Sequence, residues 1–283
     1  MIVRKRPTFL GLFFILQGSV IQIIWPQILL VFLIGIGVIA GHDYFPSYVT
    51  GLDPSPFALI GIALSIFLSF RNGACYDRWW EARRHWGVMI QSCRDIQRQT
   101  CHLPDNDDRR ALFHALIRFG HLAEGQLRGR NPYWETDAAL AEAEQAIGRM
   151  ERAGHLTHVE ALVLHESIAR IAASILACER LANTPVPFAY SLLLHRTAYI
   201  YCIILPFGFV DTLGAMAPFV AALVAYAFFG LDALAEELEQ PFSDRPNALP
   251  LSAYATAIEI ALRRALGETE LPEMPATVRY VLR

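Results

Sequence analysis

Long apolar segments alternate with polar ones along this chain, and their lengths indicate membrane-spanning helices. Residues 7–41 contain no Asp, Glu, Lys or Arg, and the segment 24–41 within them is the best candidate for a span. Further apolar runs cover residues 54–70, 185–210 and 212–231. Each approaches the roughly 20 residues that a helix needs to cross the hydrocarbon core of a bilayer. The runs therefore predict an all-α membrane protein with four transmembrane helices in two hairpins.

The polar residues between the two hairpins predict a helical domain. The segment 138–154 is rich in Ala and Glu, and apolar side chains recur near helical spacing through 156–181. The chain shows no alternating strand pattern and no internal repeat. We therefore predict four parts: an interfacial helix (8–22) with the first two spans (1–72), a cytosolic helical domain (73–184), the last two spans (185–240) and a cytosolic C-terminal segment (241–283). The end of this segment, residues 268–283, is predicted to be a loosely held tail.

The charges that flank the apolar runs predict the orientation of the chain. Basic residues precede the first span and follow the second: Arg4, Lys5, Arg6, Arg71, Arg78, Arg83 and Arg84. The short connections inside the two hairpins contain no Lys or Arg, and their acidic residues are Asp43, Asp53 and Asp211. Because Lys and Arg accumulate on the cytoplasmic side, both termini and the helical domain are predicted to be cytoplasmic. The three aspartates then lie at the outer mouth.

Composition excludes one class of partner and indicates the state of the cysteines. A net charge of −3 and the lack of a basic arm exclude nucleic acid as an expected partner. Only 18% of the residues are charged, against about 25% in soluble domains. The cysteines form no CxxC pair, and we interpret all five as reduced thiols: Cys75, Cys93, Cys101, Cys178 and Cys202.

Two neighbouring stripes run along the second span. Small residues recur every four positions, a spacing that lets helix backbones approach closely in a membrane: Gly61, Ser65, Ser69 and Gly73. One step round the helix lies an apolar stripe of Ile62, Ile66 and Phe70. On spacing alone, we favour the interpretation that these three side chains face lipid or a neighbouring helix. Alternatively, several copies packed through the small stripe would enclose a narrow apolar bore.

Several motifs together resemble the bacterial branch of the bestrophin family. They are "FRNGACYDRWWEARRHWG" (70–87), "CERLANTPVPFAYSLLLHR" (178–196), "LPFGFVD" (205–211) and "AEELEQPF" (235–242). The resemblance covers roughly residues 1–250, and its first motif is long and aromatic-rich enough to be specific. Bestrophins are pentameric ion channels with four transmembrane helices per subunit and a helical cytosolic body. The resemblance implies that the second span lines a central pore and that Ile62, Ile66 and Phe70 form its apolar neck.

The family also has features that carry over less completely. A second, cytosolic constriction near the start of the third span implies Leu181, with Val186 as the fallback. Animal members carry an acidic calcium site after the last membrane helix, but residues 240–250 here keep only Asp244. Calcium takes six to eight oxygen ligands, several of them carboxylates. No calcium site, other metal site or cofactor is therefore predicted.

Further charged residues near the spans leave alternatives open. His195 and Arg196 either mark a pathway or a buried pair, or lie at the cytosolic boundary with their charges in water. We interpret the acidic residues after the fourth span as a helix that leaves the membrane into water: Asp232, Glu236, Glu237 and Glu239. Together with Pro206, His195 and Arg196 keep open a rival class, a membrane transporter or membrane-embedded enzyme. Neither broken paired helices nor a placed nucleophile and base supports that class.

The expected function is passive conduction of monovalent ions by a homopentamer in the lipid of a bacterial inner membrane, with no enzymatic activity. Animal bestrophins conduct chloride and bacterial relatives have been considered cation-permeable, so the resemblance leaves the sign of the ion open. Rings of acid concentrate cations, and the outer aspartates therefore favour sodium, with chloride as the alternative.

Overall fold

The computed structural model describes residues 1–4, 8, 11, 15–16 and 18–282, and the regular elements among them are helices joined by turns and isolated bridges. Eight α-helices are numbered here in chain order: α1 (Ile21–Tyr44), α2 (Pro54–Gln99), α3 (Asp107–Leu127), α4 (Tyr133–Arg152), α5 (His158–Asn183), α6 (Phe188–Leu213), α7 (Ala217–Glu239) and α8 (Leu251–Ala265). A 3₁₀ turn, Gly214–Met216, joins α6 to α7. The interfacial helix predicted for 8–22 falls partly on residues outside the described ranges, namely 9–10, 12–14 and 17.

The described chain divides into two compact units. The four-helix unit comprises residues 6–77 and 185–239 and contains α1, the first part of α2, α6 and α7. The helical body comprises residues 1–5, 78–184 and 240–283. The division into four parts predicted from the sequence stays a prediction, and residues 1–5 belong here to the helical body. The assignment of the helical body to the cytosol stays a prediction.

Close backbone approach holds the four-helix unit together. α1 packs along α6 and α7, and a Cβ added at Gly35 of α1 would lie 2.8 Å from the Cα of Pro218. A Cβ added at Gly208 of α6 would lie 2.7 Å from the ring of Phe57 on α2. Small residues therefore determine how closely these helices approach each other. This is expected in a membrane, because lipid tails are as apolar as a neighbouring helix and helices associate through close packing instead.

The helical body has a conventional hydrophobic core. Its largest fully buried side chains include Trp86, Met89, Phe113, Phe119 and Ile147. Polar side chains cap two of its helices: Asn106 caps α3, and the sequence Thr157-x-x-Glu160 forms a capping box at the start of α5. The Thr157 amide donates to the Glu160 carboxylate at 2.8 Å, and the Glu160 amide donates to the Thr157 hydroxyl at 3.3 Å. Each bond satisfies a backbone donor that the helix itself leaves unpaired.

Length and composition alone identify α5 as a further stretch apolar enough to cross a membrane, beside Ile21–Tyr44, Pro54–Gln99 and Phe188–Glu239. The structure gives another reason for its apolar residues. One face of α5 supplies Leu164, Ile168, Ile171 and Ile175 to the core of the helical body. Burial in the core of the helical body explains why these side chains are apolar as well as contact with lipid would.

The prediction of a loosely held C-terminal tail is wrong in one respect. The last residues described pair with the first: the Val3 amide donates to the Tyr280 carbonyl at 2.9 Å, and the Leu282 amide donates to the Met1 carbonyl at 2.8 Å. The Arg4 guanidinium lies over the Tyr280 ring, 4.6 Å from its centroid. The sequence of the tail alone could not show this pairing, because the partner strand lies at the other end of the chain.

The cysteines give a test of this fold. All five are free, and Cys101 alone of them is exposed. Burial raises the pKa of the Cys93 thiol to about 12 and that of the Cys178 thiol to about 12. Because the thiolate is the reactive species, we expect maleimide at neutral pH to label Cys101 and to label the other two only after denaturation. Peptide mass spectrometry measures this, and rapid labelling of Cys93 in the folded protein would contradict the packing.

Candidate functional site

The apolar stripe of α2 is uncovered in the chain. Ile62, Ile66 and Phe70 expose 60%, 49% and 66% of their surfaces. The buried side of the same helix segment carries Leu64 and Leu68, which pack against α6 and α7 residues in the core of the four-helix unit. The described residues of this chain therefore cover the stripe less than they cover Leu64 and Leu68. Its role as a neck stays a prediction, because lipid, a second copy or a lumen would each meet an exposed apolar stripe.

The small-residue stripe has two environments. A Cβ added at Gly61 would lie 2.6 Å from the hydroxyl oxygen of Tyr201 on α6, and that hydroxyl donates to the Phe57 carbonyl at 3.2 Å. Ser65, Ser69 and Gly73 are exposed instead. At Gly61 the close approach thus serves packing within the chain. The other three positions remain available for the predicted contact with another copy.

Leu181 does not face open space in its own chain. Its side chain is 6% exposed and belongs to the core of the helical body. Its carbonyl accepts a hydrogen bond from Arg78 at 2.6 Å, and a second Arg78 nitrogen donates to the Thr184 carbonyl at 2.6 Å. The role of Leu181 as a cytosolic constriction stays a prediction. The fallback residue, Val186, is partly exposed.

The three predicted outer residues Asp43, Asp53 and Asp211 are all exposed. Asp211 lies 3.3 Å from the His42 Nε2, and its carboxylate occupies the space beside Gly51 where a Cβ would be. Asp53 precedes α2 and accepts hydrogen bonds from the amide and the hydroxyl of Ser55, at 2.9 and 2.8 Å. These bonds lower the pKa of Asp53 and so keep it ionised. Two of the aspartates therefore also hold the loop between α1 and α2.

A buried ion pair is the main feature of the four-helix unit that the sequence interpretation missed. Arg71 is 4% exposed and Asp232 is 8% exposed, and the guanidinium donates to the carboxylate. The second carboxylate oxygen of Asp232 lies 2.7 Å from the His195 Nδ1. A Glu239 oxygen lies 3.8 Å from the other terminal nitrogen of Arg71. The cluster joins one residue of α2, one of α6 and two of α7.

Two interpretations from the sequence change as a result. Asp232 was assigned to a solvated helix face and Arg71 to a flanking charge, but both are buried and paired. His195 belongs to the pair, although its side chain is 50% exposed, whereas Arg196 is exposed. The sequence contains one signal for this pair. Arg71 and Asp232 have opposite charges, and each lies at the end of an apolar run. A charge placed there needs a partner to offset its desolvation.

The structure offers no calcium geometry at the position implied by animal relatives. An Asp244 oxygen lies 3.2 Å from an Arg130 nitrogen and another lies 3.5 Å from the Arg128 Nε. Two guanidinium groups thus lie beside the Asp244 carboxylate, where a calcium ion would need additional oxygen ligands. Within the described ranges, no group of three or more His, Cys, Asp or Glu residues is placed to hold a metal. These residues do not fit a calcium ion.

The buried ion pair predicts a sharp difference between two arginines. Replacing Arg71 by Gln leaves the Asp232 carboxylate buried without its guanidinium partner. Breaking a buried pair on one side in this way lowers the free energy of unfolding by about 3–5 kcal/mol. Arg196→Gln, at an exposed position of the same unit, should change stability by less than about 0.5 kcal/mol. Thermal unfolding of the detergent-purified variants measures both. Equal melting temperatures for Arg71→Gln and the parent would show that the pair contributes nothing.

Comparison with known proteins agrees with this architecture. Residues 1–264 match the family model described as bacterial/fungal bestrophin protein. The chain is 43% identical to the voltage-dependent anion channel-forming protein mll4386 of Mesorhizobium japonicum, over 99% of this chain and 97% of that protein. It is 37% identical to the voltage-dependent anion channel-forming protein YneE of Escherichia coli, with 96% of each chain covered.

A solved structure extends the agreement to the fold. The crystal structure of a bacterial bestrophin homolog from Klebsiella pneumoniae matches with a TM-score of 0.82 at 35% identity, over 87% of this chain and 100% of that one. The predicted fold class is thereby confirmed as an all-α membrane protein with two hairpins of apolar helices and further helices between them. The chain belongs to the bestrophin family of ion channels.

Proposed function

We propose that this bestrophin-family ion channel passively conducts monovalent anions such as chloride through a central pore shared by several copies of the chain. The observation that carries the proposal is the similarity to relatives named as voltage-dependent anion channel-forming proteins, at 43% and 37% identity over nearly the whole chain. Family and fold together support a channel rather than an enzyme.

The exposed stripe of α2 supplies the proposed barrier. Ile62, Ile66 and Phe70 lie on one face of a helix, and among the described residues none covers that face to the extent that Leu64 and Leu68 are covered. In a ring of copies, most simply the pentamer implied by the family, the stripe would form a narrow apolar neck. Such walls hold water and ions poorly, and they therefore gate flow by dewetting.

The proposed assembly is a homo-oligomer in the bacterial inner membrane, with both termini cytoplasmic. The pairing of residues 1–4 with 279–282 supports a common side for the two termini. The exposed positions Ser65, Ser69 and Gly73 support close contact between copies, because small side chains let neighbouring helices approach.

Sodium conduction is the second candidate, and the exposed aspartates favour it. Asp43, Asp53 and Asp211 would repeat around the ring, and acidic rings concentrate cations. The names of the relatives do not support sodium.

The reversal potential under a NaCl gradient decides between the two ions. Purified protein in a planar bilayer should give discrete current steps that reverse near the chloride equilibrium potential. Discrete current steps also distinguish a channel from a transporter. Replacing Asp43, Asp53 and Asp211 together by Asn should increase chloride current, most clearly at low salt, because screening weakens charges beyond about 8 Å at physiological ionic strength. Reversal of the parent near the sodium equilibrium potential would overturn the proposed ion.

The neck is tested by shortening its three side chains. Ile62, Ile66 and Phe70 changed together to Ala should raise conductance or open probability, since a wider bore stays wet more easily. The matched control changes Ile60 and Phe67 to Ala. These exposed apolar residues lie about 100–120° round α2 from Ile66, the middle residue of the stripe. Unchanged current in the triple variant, or an equal increase in the control, would assign the stripe to lipid or helix packing.

A further inference from the structure

The exposed stripe of α2 does not end with the apolar neck residues. Positions separated by three or four residues stay exposed from the four-helix unit to the far part of the helix: Ile62, Ile66, Phe70, Gly73, Asp77, Trp80, Arg84, Val88 and Gln91. On the other side of the same helix, Ala82, Trp86, Met89, Cys93 and Ile96 are buried in the core of the helical body. Along most of its length, one face of this single 46-residue helix is therefore left uncovered by the residues that the structure describes.

Helix geometry places two charges in line with the neck. Asp77 follows Phe70 by seven residues and Arg84 follows it by fourteen. Since seven residues make nearly two turns, both side chains return to the direction of Ile66 and Phe70 within about 40°. They lie about 10 and about 20 Å beyond Phe70 along the helix axis.

The neighbouring charges on α2 have structural partners. Arg71 pairs with Asp232, Arg78 donates to two carbonyls at the end of α5, and Glu81 accepts from Arg180 at 3.0 Å. The Arg83 guanidinium lies over the Tyr254 ring, 4.9 Å from its centroid.

Asp77 and Arg84 differ from these neighbours. Within the part of the chain that the structure describes, neither side chain has a hydrogen-bond or ion-pair partner. Among the charged residues of α2 between positions 54 and 85, the two described side chains that lack partners are thus those on the exposed stripe, where they remain available to a mobile ion.

We propose that Arg84 determines selectivity for anions, and that Asp77 acts against it as a second ring of opposite sign. This assignment rests on the proposed function, in which the exposed face of α2 lines the pore. Each copy would contribute one guanidinium, which is a cation with several N–H donors for an anion. The two residues are about 10 Å apart along the helix, more than the roughly 8 Å over which salt screens charge, so each ring acts largely on its own.

The two charges should produce shifts of opposite sign. Arg84→Gln should lower the chloride-to-sodium permeability ratio about fivefold, the effect of one unit charge about 4 Å from an ion in water. Asp77→Asn should raise the ratio by a similar factor. Arg84→Lys keeps the charge and should retain most of the parent ratio. The matched control is Arg118→Gln, which removes an exposed arginine of α3 paired with Glu142 and should leave the ratio unchanged.

Chemical modification tests the same position independently of how well a neutral variant assembles. Arg84→Cys is made with Cys101→Ser, because Cys101 is the exposed native thiol while the other four are buried. A trimethylammonium-bearing methanethiosulfonate should restore chloride current, and a sulfonate-bearing one should reduce it further. Failure of both reagents to change the current would overturn the assignment of Arg84 to the pore.

The outcomes separate this inference from the proposed function. A parent channel that reverses near the sodium equilibrium potential overturns anion conduction, while opposite shifts in Arg84→Gln and Asp77→Asn would still place both residues at the pore. A parent that conducts chloride, together with unchanged permeability ratios in both variants, supports the function and overturns the role of Arg84. Shifts of the same sign in both variants also overturn it, because that pattern indicates a general structural disturbance.

Discussion

The continuity of α2 is the constraint on which the other features depend. A helix inside a bilayer satisfies its own backbone hydrogen bonds, so the apolar part of α2 has no alternative structure of comparable free energy. No proline follows Pro56 to interrupt it, and the helix continues for 46 residues. Its period then fixes which residues share a face. Ile66, Asp77 and Arg84 share a face because all three belong to one helix.

The buried cluster around Asp232 fixes how α2 is rotated within the four-helix unit. Arg71 follows Phe70 directly and points into the unit, where Asp232 binds it. Leu64 and Leu68 are buried on the same side. Turning the helix would expose these leucines and separate the ion pair in a region of low dielectric constant, which is costly. The outward direction of Ile62, Ile66 and Phe70 is therefore a consequence of what the opposite face requires.

Charges on this chain serve two separate purposes. Most of those near the membrane spans hold structure together: Arg71 binds Asp232, Arg78 satisfies carbonyls at the end of α5, and Asp53 binds the first turn of α2. A charge held in this way is largely neutralised and offers little field to a passing ion. Selectivity must then depend on the smaller set of charges without partners, and counting acidic residues in loops overstates their influence.

The sequence by itself determined the helical class, the four apolar runs, the stripe on α2 and the resemblance to bestrophins, because each is a local pattern with a short period. It also determined which end of each run is charged. Only the tertiary structure decided which of those charges meet. Arg71 and Asp232 are 161 residues apart, and nothing local distinguishes a paired charge from a solvated one. The same limit explains the tail, whose partner is at the opposite end of the chain.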